Sequence, residues 1–366
     1  MGRLIIYCAG TGFDTLPAKN VKNILVNVFD NGMNDKAILN TQKMFAYAGT
    51  EIRFQDSGGF QILMAEEENK TMTFNPDLPL LRSAGRINIS PSHVIETARR
   101  LQPQIITSLD FPVRKLTNKS DQQQEFLRKL GFNVEWTIET ALLRQKYCPE
   151  VDLLIPIQAY DLDQFEFFKS LIYNITYDGF SMPLRNLQPA QIALFLLRFF
   201  QLGIRKVHLL GSTSFLNMAV AAYFACHFFQ WVSLDSTSWR QAGEHGSYLN
   251  PNDLTAEPLT DDIRIDERIP MLCQCPFCKD RSFTFIKNLP RTDKTALLRS
   301  HNFWVTERVA EDLYANAGDL LSFEKFLKTR SPRSQEINEL IGCLALIDTF
   351  KDGDIHLLKR FFKIAA

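Results

Sequence analysis

Short apolar runs alternate with longer amphipathic segments through most of the chain, and this alternation constrains the fold more than any other feature. The runs are Asn23–Phe29, Glu51–Phe54, Gln104–Leu109, Asp152–Ile157, Ile175–Tyr177, Lys206–Leu210 and Trp231–Leu234, with Leu4–Tyr7 as an eighth candidate. Between them the hydrophobic spacing is helical. One helix starts at a Ser90 cap with Pro91 in its first turn and runs through Arg100; others lie within Gln122–Lys146, Leu162–Tyr173, Pro189–Gln201 and Ser214–Phe228. Strand–helix–strand repetition predicts a parallel sheet, because parallel neighbours need a crossover long enough to hold a helix. A polar residue or glycine follows nearly every run: Asp56, Asp110, Gln158, Gly179, Gly211 and Asp235. Such residues at strand carboxyl ends mark the functional rim of a TIM barrel, although a doubly wound sheet gives the same local pattern. Seven or eight strands in one run favour an α/β fold of the TIM (β/α)8 barrel type.

The 366 residues, 45% of them hydrophobic, suffice for one barrel and an appendage. The 29 Phe predict a bulky aromatic core. No run of about 18 apolar residues occurs, so no membrane partner is expected. The opening Met-Gly-Arg-Leu-Ile-Ile-Tyr-Cys-Ala-Gly lacks the length and cleavage pattern of a signal peptide. Cys8, Cys148, Cys226 and Cys343 stand singly among mostly apolar neighbours, which fits reduced core thiols and a cytoplasmic location. The 41 basic and 41 acidic residues balance, so a nucleic-acid groove has to come from local clusters. The candidates are Arg99-Arg100, Arg114-Lys115, the group Lys287, Arg291, Lys294 and Arg299, and the stretch Lys328–Arg333; a solvated helix face is the competing explanation for each.

Two local motifs carry chemistry. Cys273-Gln-Cys275-Pro-Phe-Cys278, followed by His301, offers three thiolates and an imidazole, a tetrahedral Cys3His set for Zn2+. Four protein ligands leave no position open to water or substrate, so this zinc is expected to be structural. Asp56-Ser-Gly-Gly-Phe-Gln61 sets a carboxylate beside backbone that can approach a ligand closely; by itself it reads more readily as an Asp-initiated turn with a core Phe. It opens a connection over 55–90 that is too long for an ordinary turn and is expected to hold a functional loop with a small hairpin. The expected organisation is a catalytic core over 1–269, a zinc-binding subdomain over 270–310, and helices over 311–366 that complete the barrel.

Taken together, Asp56–Gln61, the Asp235-Ser-Thr-Ser-Trp segment and the Cys273/Cys275/Cys278/His301 set resemble the tRNA-guanine transglycosylase superfamily in order and approximate spacing. The resemblance runs over residues 50 to 310 or so. It implies a TIM barrel with an inserted zinc subdomain and a base-exchange reaction on nucleic acid. Asp235 matches the nucleophile that attacks the sugar C1′, and Asp56 the general acid/base. Asp110 matches the carboxylate that binds the guanine amidine edge, where two N–H donors suit two oxygens. Gln158 and the backbone N–H near Gly179 match the donors to the base carbonyl. Phe60 and Leu210 match the two sides of the slot around the base, and Ser57 belongs to the same base-binding set.

Three departures refine the expectation. Asn27-Val-Phe-Asp-Asn-Gly-Met33 does not resemble the Asn-Thr-Tyr-His-Leu segment of bacterial tRNA enzymes. Phe180-Ser-Met-Pro-Leu-Arg185 lacks the acidic ending that receives an aminomethyl group there, which suits an uncharged substituent such as the nitrile of 7-cyano-7-deazaguanine. The Asp235-Ser-Thr-Ser-Trp-Arg-Gln-Ala-Gly context is closer to the archaeal style, yet no archaeal tRNA-binding extension follows. The combination resembles the DNA-guanine transglycosylases of 7-deazaguanine DNA-modification systems. The expected partners are therefore nucleic acid, with DNA ahead of tRNA, and a 7-deazaguanine base. A second copy of the chain or accessory modification proteins are further candidates. A non-catalytic partner subunit is the remaining reading, and the presence of both Asp56 and Asp235 argues against it.

Overall fold

The computed structural model describes residues 2–18, 20–184, 187–259, 273–279, 281–331 and 335–361. Eight strands close the expected barrel: β1 (Arg3–Ala9), β2 (Asn23–Asn27), β3 (Ile52–Asp56), β4 (Ile105–Thr107), β5 (Asp152–Pro156), β6 (Gly179–Pro183), β7 (Lys206–Leu210) and β8 (Trp231–Ser236). They are hydrogen-bonded in the order β1-β8-β7-β6-β5-β4-β3-β2, so neighbours in sequence are neighbours in the sheet. Contacts divide the chain into two compact units. One comprises the described residues of Lys22–Leu187 and Gly203–Leu210; the other comprises those of Met1–Val21, Gln188–Leu202 and Gly211–Ala365.

In the first unit β2 through β7 run parallel, with Asn27 opposite Asp56, Thr107 opposite Leu154, and Leu210 opposite Pro183. Ile24, Phe54, Ile106, Leu153, Leu154, Ile155, Phe180 and Val207 are buried, the continuous apolar character of strands covered on both faces. His208 on β7 belongs to this core, its ring 4.6 Å from that of Phe54. The connection after β3 holds a helix, Gly59–Glu67, and a three-stranded sheet in which Arg86–Asn88 pairs with both Thr71–Thr73 and Leu81–Arg82. The expected hairpin is thus present with one strand added. Ile87 and Ile89 pack into a cluster with Val28, Phe29, Ile62, Phe111 and Trp136, which seats the small sheet beside the strand ends.

The sixth strand lies later than expected. Ile175–Tyr177 has the β-branched and aromatic character of a strand, yet it forms no ladder. Asp178 intercepts the edge of β5 instead: its carboxylate accepts from the Leu153 N–H at 2.9 Å and from Arg144 at 2.7 Å, and its own N–H donates to the Leu153 carbonyl. The chain enters the barrel only at Gly179, which pairs with Leu154. A side chain at Gly179 would run into the Lys206 carbonyl oxygen of the next strand, so glycine is required there for close packing. Gly179 therefore begins β6 rather than following it.

Smaller shifts have local causes. Val28 and Phe29 leave the second strand for a short helix, Val28–Gly32, because the Asn27 side chain accepts from the Phe29 N–H and caps it. Asp56 and Asp235 lie within the final residues of β3 and β8 rather than after them. The helix expected over Gln122–Lys146 begins at Lys119, capped by Asn118, and continues to Tyr147.

In the second unit β1 and β8 pair in parallel with Tyr7 opposite Asp235. The unit contains the helices Pro189–Gln201, Phe215–His227 and Ser238–Glu244, the hairpin Ser247–Leu249/Ala256–Pro258, and a long helix, Arg291–Asn316. That helix runs unbroken through position 310, the boundary expected between zinc subdomain and C-terminal helices. Leu320–Arg330, Gln335–Phe350 and Ile355–Phe361 supply the helical C-terminus. Arg185, Arg333, residues 270–272 and residues 362–366 of the expected segments lie outside the described residues. Among the described residues no helix is long and apolar enough to cross a membrane.

Candidate active site and metal centre

The first unit gathers Asp56, Ser57, Asp110 and Gln158 around one buried carboxylate. Asp110 follows β4 on the segment Ser108–Val113 and is 7% exposed. The Ser57 hydroxyl donates to its Oδ1 at 2.7 Å, and the Gln158 amide donates to its Oδ2 at 2.6 Å. Gln158 is itself oriented, because its Oε1 accepts from the Val113 N–H at 3.1 Å and so turns Nε2 toward Asp110. Burial and, next, the nearby Asp56 carboxylate push the Asp110 carboxyl up to about 7, with the Ser57 and Gln158 hydrogen bonds pulling against them.

The glycine pair makes this packing possible. A side chain at Gly59 would collide with the Asp110 carboxylate, and Gly58 adopts φ +92° in the left-handed region, with the Phe29 ring 2.9 Å from where its Cβ would sit. The turn thus lets the Gly59–Glu67 helix start directly against Asp110. Ser57 is fully buried, its N–H donating to the Thr107 hydroxyl at 2.8 Å. Phe60, in the first turn of the helix, is 55% exposed, so an aromatic face stands open to solvent beside the buried carboxylate. Leu210 is half-buried at the end of β7. Gly179, at the amino end of β6, is the one member of the expected base-binding set that does not lie at a strand carboxyl end.

Asp56 is oriented by two residues that sequence reasoning passed over. Asn27 donates through Nδ2 to Asp56 Oδ2 at 3.3 Å and to Gln61 Oε1 at 3.0 Å; Thr107 donates to Asp56 Oδ1 at 3.3 Å. Asn27 can do this because its Oδ1 is committed to capping Phe29, which fixes the amide the other way round. No local signal marked them, because both lie inside expected apolar runs, Asn23–Phe29 and Gln104–Leu109.

In the second unit Asp235 is 9% exposed, and the Gly211 N–H donates to its Oδ1 at 2.9 Å. Gly211 has φ +82°, a conformation that favours glycine and that aims its N–H at the carboxylate. One Asp235 oxygen is thereby held by backbone. His245 is exposed at the end of the Ser238–Glu244 helix.

The four expected metal ligands converge. The sulfurs of Cys273, Cys275 and Cys278 and the Nδ1 of His301 lie within 4.8 Å of one another, all buried. His301 Nδ1 sits 3.3 to 3.4 Å from each sulfur. Its Nε2 is 3.0 Å from the Leu249 carbonyl oxygen; a proton held there leaves Nδ1 free to ligate, the usual outer support of a metal-binding imidazole. The Cys275 and Cys278 N–H groups donate to the Cys273 and Cys275 sulfurs, which stabilises thiolate charge. Asn302, which the sequence did not single out, fixes the surroundings: it accepts from the Leu249 N–H and donates to the Trp239 and Ser247 carbonyls. Three sulfurs and one imidazole, buried and oriented, fit a single tetrahedral metal ion with no position left for substrate.

No family model matches this chain. It is 22% identical over 309 residues to the tRNA-guanine(15) transglycosylase of Pyrococcus abyssi, a stretch that is 82% of this chain and 45% of the relative. It is 25% identical over 231 residues to the tRNA-guanine(15) transglycosylase of Methanococcus aeolicus, covering 61% of this chain and 33% of that one. The chain thus spans less than half the length of these curated relatives.

Two outcomes follow from the geometry. A carboxyl near 3.8 when exposed and near 7 when folded binds its proton more tightly in the native state, so it contributes stability that is fully present below about pH 4 and lost as pH rises toward 7. Asp110→Asn can turn its oxygen to Gln158 and its amide to Ser57. It should be more stable than the parent at pH 7 by up to about 4 kcal/mol and gain little at pH 4, in denaturant titrations at both values. Secondly, Cys275→Ser should lose bound metal and melt lower, and a strong chelator should lower the parent melting temperature likewise. A fully folded, metal-loaded Cys275→Ser protein contradicts the centre.

Proposed function

We propose that this chain is a base-exchanging guanine transglycosylase that replaces guanine in DNA with 7-cyano-7-deazaguanine through a covalent Asp235–glycosyl intermediate. The observation that carries the reading is the convergence of Ser57 and Gln158 on the buried Asp110, with Asp56 close enough to raise its carboxyl. These are the positions that the resemblance assigns to base recognition and proton transfer. Relatives named tRNA-guanine(15) transglycosylase support the reaction class.

The steps assign one role to each group. The Asp235 oxygen not held by Gly211 attacks the sugar C1′, forming a C1′–O bond as the C1′–N9 bond breaks through an oxocarbenium-like transition state. Asp56 gives its proton to the departing guanine. The incoming 7-deazaguanine then loses its N9 proton to the Asp56 carboxylate, and N9 attacks C1′, releasing Asp235. Asp110, as the carboxylate, accepts the paired N–H donors of the base edge, which compensates the burial that otherwise keeps it protonated. Phe60 supplies a stacking face. Gln158 and the backbone N–H near Gly179 are the proposed donors to the base carbonyl, and strand packing separately requires glycine at 179. Cys273, Cys275, Cys278 and His301 would hold Zn2+ with four protein ligands, which would tie the Arg291–Asn316 helix to the Cys273–Cys278 segment and supply no chemistry to the reaction.

The preference for DNA and for a nitrile rests on how the sequence departs from the bacterial tRNA enzymes at Asn27–Met33, Phe180–Arg185 and Asp235–Gly243. Leu184 is buried and donates its N–H to the Leu210 carbonyl, so no acidic side chain stands there to greet an aminomethyl group. Exchange on tRNA is the second reading, favoured by the names of the relatives. Incubation with 7-cyano-7-deazaguanine and either duplex DNA or unmodified tRNA, followed by nucleoside mass spectrometry, separates the two. The modified deoxynucleoside is expected, with Asp235→Ala and Asp56→Ala each lowering exchange by at least about 10³-fold. Ribonucleoside alone transfers the assignment to tRNA; no exchange on either, or full activity in both variants, overturns it.

A further inference from the structure

The most completely desolvated charge in the first unit is Lys129, on the helix Lys119–Tyr147, with a side chain 0% exposed. Its ammonium is held by the Glu66 carboxylate at 2.7 Å, the Glu125 carboxylate at 2.8 Å and the Pro112 carbonyl at 2.7 Å, and it lies 4.5 Å from the centre of the Phe111 ring. Arg128 reaches the same two carboxylates, and Arg114 reaches Glu125. Burial alone would raise the Glu125 carboxyl, but the hydrogen bonds from Lys129 and Arg128 outweigh it and hold it down to about 2. Glu66 is likewise held below its ordinary range by hydrogen bonds from Lys129 and Arg128 acting against burial.

Accepting the base-recognition role proposed for Asp110, we infer that Lys129 is a positioning residue that sets the Asp110 segment against the Gly59–Glu67 helix for the incoming base. Two acceptors of its ammonium belong to the structures that enclose Asp110. Pro112 lies two residues beyond it, and Glu66 closes the helix whose first residue, Gly59, packs against its carboxylate. One turn along from Lys129, Asn133 pairs both backbone groups of Phe111, accepting from its N–H at 2.7 Å and donating to its carbonyl at 3.0 Å. Lys129 and Asn133 thus grip consecutive residues next to Asp110 from one helix face, and Lys129, together with Arg128, also reaches Glu66. A buried ion pair is weak evidence for fold stability, because replacing it by well-packed apolar groups is often neutral or stabilising, and the geometry around Asp110 points to positioning.

Two variants test the inference, each measured twice. Lys129→Met removes the ammonium at similar volume. Glu66→Gln keeps Lys129 but weakens its hold on the helix. The first measurement is kinetic: the KM for 7-cyano-7-deazaguanine should rise about tenfold or more in Lys129→Met and less in Glu66→Gln, with kcat within about threefold of the parent. The second needs no turnover. In carbon-13 NMR of Asp-labelled protein, assigned with Asp110→Asn, the Asp110 carboxyl should titrate lower in Lys129→Met as its segment loosens. A changed melting temperature with KM and the Asp110 titration both unchanged would reduce Lys129 to a structural role and overturn the inference. If Lys129→Met does not fold, Glu66→Gln decides by the same two readings. If the parent protein exchanges no base, the proposed function fails, and the Asp110 titration still decides the role of Lys129.

Discussion

Asp110 carries a carboxylate almost wholly withdrawn from water, and its surroundings are arranged to make that tolerable. Each oxygen accepts one hydrogen bond from a side chain, from a serine that follows β3 and from a glutamine that follows β5, and keeps further acceptor capacity. A glycine allows the Gly59–Glu67 helix to begin within contact distance, and a second carboxylate nearby opposes ionisation. An isolated buried charge is costly, so the group rests near its midpoint at neutral pH until donors arrive to meet it. That condition suits recognition of a base edge with paired N–H groups. A carboxylate already saturated by protein donors would have little to offer a ligand, and an exposed one little selectivity.

The fold supplies these partners from separate strands, which is what a parallel barrel does well. Asn27, Asp56, Ser57, Thr107, Asp110 and Gln158 come from four successive strand ends, each near its neighbour because sequence order is sheet order. In the second unit a different device operates. The Cys3His cluster, backed by the Leu249 carbonyl and Asn302, brings together the Cys273–Cys278 segment, the Ser247–Leu249 strand and the Arg291–Asn316 helix. A metal bound by these four ligands would tie the Cys273–Cys278 segment to that helix.

Much of this could be read from the sequence, for reasons that differ from residue to residue. Helices such as Pro91–Leu101 were legible because cap, proline and periodicity all agree. The metal ligands were legible because thiols at that spacing have few other uses. Asp56 and Asp110 stood out as charges directly after apolar runs. The sixth strand was misplaced because Ile175–Tyr177 has strand-like side chains, whereas its exclusion depends on Asp178 binding the edge of β5, a tertiary contact. The same error placed Gly179 after a strand, when it begins one and its lack of a side chain serves strand packing. Asn27, Thr107, Asn133 and Lys129 were missed because each acts through another residue, and no local pattern marks a side chain whose function is to orient a neighbour.

The central claim is a covalent glycosyl bond to Asp235, and the most direct measurement is its location. Protein and DNA would be mixed without an incoming base, denatured rapidly and digested with protease and nuclease, and the peptides would be mapped by tandem mass spectrometry. The account predicts a deoxyribosyl-linked adduct on the peptide carrying Asp235, released when 7-cyano-7-deazaguanine is added before denaturation. An adduct on Asp56, or base exchange that proceeds with no adduct at all, would contradict it.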